Sequence, residues 1–210
     1  MSQLAAAPTQ ASTQGPIGEA IAFVIGDYMT SFFVVGLIVG AIQILRLEQK
    51  RDGAAVSGIL LNTFILYGIG CAEAVNFVMH SVFGDFAARS IGWAQSPFQL
   101  ELAFRSLGVA VMAFILYGKN SAFRGKVAIV IATVIFGFGA AGGHVYQMVV
   151  NNDYSVNNTG LLLVSDIAIN AIGLAFLIWH AIARRHGTVQ LTDAAELDRV
   201  VDSVSVGAAR

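Results

Sequence analysis

The stretch Ser31–Leu45, SFFVVGLIVGAIQIL, runs from end to end without a charged side chain. With the apolar residues before it, from about position 17, it exceeds the ~20 residues that an α-helix needs to cross a bilayer. Comparable runs follow at about 54–82, 97–118, 125–149 and 159–183. Inside a bilayer each run must satisfy its own backbone hydrogen bonds, so they are expected as helices and not as strands of an open sheet. The expected fold class is an all-α integral membrane protein, a five-helix transmembrane bundle.

Composition supports this reading. Of 210 residues, 56% are hydrophobic and 12% charged, with a mean hydropathy of +0.71. Soluble domains carry about 25% charged residues, so this chain has too few to coat a water-facing surface. No basic stripe with interleaved aromatics is present, and nucleic acid is not an expected partner. The lipid bilayer is, together with a second copy of the chain or a membrane partner subunit. Cys71 is the sole cysteine, which rules out an intrachain disulfide or a CxxC couple and reads as a small buried apolar residue.

Residues 1–16 contain no Lys or Arg. A secretory signal opens on a basic stretch followed at once by an apolar one, so this segment is expected to be a disordered polar tail. Residues 187–210 form the other tail. There Leu197, Val200, Val201 and Val204 recur at helical spacing among Asp193, Glu196, Asp198 and Asp202, a pattern that suits either a short amphipathic helix or a solvated tail.

The basic residues alternate between loops. Arg46, Lys50 and Arg51 lie in the loop after the first span, Lys119, Arg124 and Lys126 in the loop after the third, and Arg184 and Arg185 follow the fifth. The loop after the second span has only Arg89, and NNDYSVNN after the fourth has none. The positive-inside rule then places the N-terminus outside and the C-terminus in the cytoplasm. Trp93, Trp179 and Tyr117 are expected as interfacial anchors. Gly36-x-x-x-Gly40 and Gly139-x-x-x-Gly143 are candidate sites of close helix contact.

Each span also carries polar residues three or four apart, and therefore on one helix face. These are Asp27 with Thr30 and Ser31, Glu73 with Asn76 and His80, Glu101 with Arg105, His144 with Gln147, and Asp166 with Asn170. At about 1.5 Å per residue the ionisable groups fall roughly 5–15 Å below the outer boundary, while the inner halves are expected to be nearly free of charge. A charge at mid-membrane costs on the order of 2.5–3.5 kcal/mol, so these groups are expected to face the bundle interior and one another.

The plain readings are a self-neutralising Glu101–Arg105 pair, an Asp27 at the headgroup boundary, amides that bridge helices, and solvated His80, His180 and His186. Glu73, Glu101, His144 and Asp166 are the hardest to explain in that way. They are the candidate ligands of a divalent metal ion such as Zn, Mn or Fe, in an outward-opening site that binds metal or a small ligand with or without catalysis. Arg105, Asp27, Asn76, Gln147 and Asn170 are candidate ligand-binding or charge-balancing groups. No residue is singled out as catalytic. The Glu-x-x-His pairing of di-iron bundles and the HExxH motif are missing. No haem or retinal is expected, for want of two level histidines or a mid-span lysine. A proton- or ion-coupled transporter or channel, and a non-catalytic structural subunit, are the alternatives.

The segments SIGWAQSPFQLELAF and GGHVYQMVVNNDYSVNNTG, followed by Asp166, resemble a family of small uncharacterised bacterial multi-pass membrane proteins. The resemblance covers roughly Asn62 to Ala175, and its most specific part is SPFQ-x-E, Ser96 to Glu101. It implies a bacterial inner membrane and no established activity. A looser similarity to DoxX-like four-helix membrane proteins extends only to size and span count.

Overall fold

The computed structural model describes residues 26–48 and 52–208, with side chains up to 186 apart from that of 156. The expected tail 1–16 and the start of the first span lie outside the described residues, as do the side chains of the apolar stripe in the C-terminal tail, whose backbone is helical. Helix α1 is Tyr28–Leu45 and α2 is Gly53–Ser81. The short α3, Gly84–Ser90, leads to α4, Phe98–Leu116. Then come α5, Phe123–Asn151, the single turn α6, Val156–Thr159, and α7, Leu161–Ala208. Among the described residues there is no strand, and five helices are long and apolar enough to cross a membrane. The chain is a multi-pass membrane protein.

Local chemistry sets the helix ends. Asp27 caps α1 by accepting the Thr30 N–H at 3.1 Å, and Asp52 caps α2 by accepting that of Ala55 at 2.7 Å, each satisfying an otherwise orphaned donor. Ser96 and Pro97 precede α4, with the Phe98 N–H donating to Ser96 Oγ at 3.3 Å. Asn152, at φ 51°, ends α5 in the left-handed conformation that Asn tolerates.

Helix α2 is the hub. Its first half packs on α1 and α7 and its second half on α4, while α5 lies against α7. Leu61, Phe64, Ile65 and Ile69 of α2 meet Phe33, Ala113, Ile129, Val130, Val134, Ile169 and Leu177 in one apolar core. Phe64 stands edge-on to Phe33 at 6.2 Å and to Phe176 at 6.5 Å, an arrangement that aromatic quadrupoles favour. Phe64–Cys71 is wound as a π-helix in the middle of α2, a local widening of the kind often found at functional sites.

Gly36 and Gly40 do mark a close contact. A Cβ on either would sit 3.0–3.2 Å from Thr63 or Tyr67 of α2. In α5 the contact is elsewhere. Among the described residues nothing lies within 4 Å of a Cβ built at Gly139, and only Trp93 near one at Gly143. Gly137 instead holds the Asn170 carboxamide of α7 against its backbone. Outside the core, large apolar side chains such as Val34, Ile38, Val111, Ile115, Ile135, Val145, Ile178 and Ile182 are exposed, the surface a bundle presents to lipid.

Candidate functional site

One end of the bundle holds most of the buried ionisable groups. On α2, Glu73 and Asn76 share a face, opposite Arg105 and Ser106 of α4. Arg105 Nη1 donates to Glu73 Oε1, and the guanidinium lies 3.7 Å over the Phe136 ring of α5. Asn76 Nδ2 donates to Ser106 Oγ at 2.9 Å, and Asn76 Oδ1 accepts the Tyr28 hydroxyl of α1 at 2.5 Å. One polar chain thus ties α1, α2 and α4 together.

Glu101 does not join them. Its side chain is exposed, and Arg105, which the spacing pairs with Glu101, turns to Glu73. The reason is burial. Glu73 is 5% exposed, and an uncompensated carboxylate there would cost far more than an exposed one.

The second group surrounds His144 on α5. Its Nε2 lies 3.9 Å from Asp166 Oδ2 on α7. Its Nδ1 is 2.7 Å from Asn158 Oδ1, which also accepts Trp93 Nε1–H at 3.2 Å. Asn158 Nδ2 donates to the carbonyls of Asp153, at 2.8 Å, and His144, at 3.4 Å. With both amide protons committed to carbonyls, Oδ1 can only accept, so His144 Nδ1 carries the proton in this network. Nε2 faces the Asp166 carboxylate. Trp93 stacks on the imidazole, ring centroids 5.3 Å apart, and is not the free interfacial anchor the sequence suggests.

Asp27 is buried at 7% exposure, and its Oδ2 has no hydrogen-bond partner among the described residues. Asn170 donates to the Asp166 carbonyl at 2.6 Å, a brace between turns of α7. Gln147 pairs with Asn151 one turn on. Among the described residues no three His, Cys, Asp or Glu side chains are grouped to hold a metal ion. The four candidate ligands are instead divided: Glu73 with Arg105, His144 with Asp166, and Glu101 at the surface.

Tyr28, Ser106, Trp93 and Asn158 are members that sequence reasoning missed. Asn76 does bridge helices as its amide suggests, but its partner Ser106 was legible only as a small polar group in an apolar run, and Asn158 stood in a segment read as a loop. His80 is half-buried and pairs with Gln99, whose Nε2 donates to the Gly84 carbonyl at 3.2 Å. The SPFQ segment therefore latches α4 to the end of α2.

The opposite end is less apolar than expected. Lys126, 4% exposed, donates to Asn62 Oδ1 and to the Gly118 carbonyl, both at 2.6 Å. His180 pairs with the buried Ser57 hydroxyl at 3.0 Å. Along α2 the apolar core residues Phe64, Ile65 and Ile69 separate this cluster from Glu73.

The α5–α6 turn carries Asp153. The Ser155 hydroxyl and backbone N–H donate to its Oδ1 at 2.5 and 3.0 Å, which holds this carboxyl below the usual carboxylate range. Gly92, at φ 79°, packs on that carboxylate, where a Cβ would also collide with Ser155 Oγ.

Residues 26–186 match a family described as Family of unknown function (DUF6790). Neither a curated protein nor a solved structure matches the chain.

Proposed function

The chain belongs to that family of unknown function, and we propose from its geometry that it is a proton-linked membrane protein, with His144 and Asp166 as the proton-binding pair. The observation that carries this is the His144 imidazole Nε2 lying 3.9 Å from the buried Asp166 carboxylate. A proton held by this pair makes the meeting of the two groups attractive and offsets the cost of burying a carboxylate. The charge balance favours the same event. Three carboxyl groups, those of Asp27, Glu73 and Asp166, are buried at this end, while the Arg105 guanidinium is taken by Glu73. Buried excess charge of one sign is costly, and a proton relieves it without the several donors a metal ion requires.

The apolar middle of α2 supports a site reached from one end over an open path through the bundle. The alternation of basic loops supports an outward-facing site, on the periplasmic side of a bacterial inner membrane. Uptake by detergent-purified protein, followed with a pH-indicator dye after an acid step, tests the reading. Wild type is expected to bind about one proton more per chain than Asp166→Asn over ~pH 8 to ~5, the range in which imidazoles titrate. Equal uptake by the two contradicts it.

A further inference from the structure

Trp93 also lines an open cavity of about 400 Å³ with Gly92, Ala94, Gln147, Asn151 and Asp153. That volume is in the range of small-molecule sites. Three features of its lining have the same electrostatic sign. Asp153 is the only charged residue among those that line it. The 29-residue helix α5 ends there, at Asn151, so the negative end of its dipole lies beside the cavity. The indole of Trp93 adds the aromatic surface on which organic cations bind best.

We propose that this cavity binds a small organic ammonium group, through the Trp93 ring and the charge of Asp153. The group is either a free amine or the headgroup of an aminophospholipid. An anion is disfavoured by all three features. A bare metal ion would use neither the indole nor the volume. The site goes beyond the proton-binding pair, which it adjoins where Trp93 stacks on His144.

The test is titration of the full-length protein in phosphatidylglycerol nanodiscs with tetramethylammonium and with ethylammonium, at constant ionic strength against NaCl. Trp93 fluorescence is read in a Trp179→Phe background. Saturable quenching by the ammonium ions and not by Na⁺ is expected, roughly tenfold weaker in Asp153→Asn. Asn151→Lys, at an exposed position, places a tethered ammonium at the cavity and is expected to abolish binding while leaving the fold intact. Asp166→Asn is expected to leave it unchanged, which separates this site from the buried pair. Repeating the titration in discs that contain phosphatidylethanolamine distinguishes the sources. Weaker apparent affinity there assigns the site to the lipid headgroup, and unchanged affinity assigns it to a free amine. Quenching that does not saturate, or saturation indifferent to both Asp153→Asn and Asn151→Lys, overturns the proposal.

Discussion

Arg105 of α4 is hydrogen-bonded to Glu73 of α2, and the same guanidinium covers the Phe136 ring of α5. One side chain therefore joins three helices at the level of the polar cluster. Arg105→Leu leaves Glu73 buried and unpaired, and is expected to destabilise the protein by about 3 kcal/mol. Adding Glu73→Gln is expected to restore most of that loss. Thermal unfolding of the two single variants and the double variant in detergent measures the coupling. Additive losses would show that the pair contributes little.

Asn158 has no exposed surface and uses both amide protons and its oxygen. Asn158→Leu leaves the Asp153 carbonyl, His144 Nδ1–H and the Trp93 indole N–H without this partner, at about 1–3 kcal/mol for each group left unsatisfied. A lowered melting temperature is expected, with Trp93 emission shifted to the red as the ring loses its place on His144. Unchanged emission in a Trp179→Phe background would mean that Asn158 does not hold the indole.

Gly137 packs directly under the Asn170 carboxamide. Gly137→Val is expected to push α7 away from α5 and cost about 1–3 kcal/mol, as overpacking does. Gly139→Val, at a position with no neighbour within 4 Å among the described residues, is expected to be close to neutral. Comparing the two melting temperatures checks the assigned face of α5.

Asp153 gives a pH dependence whose sign follows from its hydrogen bonds with Ser155. Its folded-state pKa lies below the unfolded value of ~3.9. The stabilisation is therefore complete above the unfolded value and is lost as pH falls through the folded one. Wild type is expected to lose stability in that acid range more steeply than Ser155→Ala, in a pH series of melting temperatures.

The membrane-spanning helices were legible because apolar length is a one-dimensional property, and Ser31–Leu45 already carries it. The three- and four-residue spacing likewise put Glu73 with Asn76 on one face. What the spacing does not encode is the partner. Arg105 has a long side chain that reaches either its own helix or the next, and the burial of Glu73 decides between them. The π-helical turn Phe64–Cys71 also shifts the face of α2 between Leu61 and Glu73, which a 3.6-residue period does not follow. Lys126 read as a loop charge because its partners, Asn62 and the Gly118 carbonyl, are brought to it only by the packing of α2 and the turn after α4.

Proton binding between His144 and Asp166 is tested most directly by infrared difference spectroscopy of the purified protein between ~pH 8 and ~pH 5. Wild type is expected to show imidazole and buried-carboxyl bands that change together. Asp166→Asn should lose the carboxyl component, and His144→Gln the imidazole one. Identical difference spectra for wild type and Asp166→Asn would contradict the account.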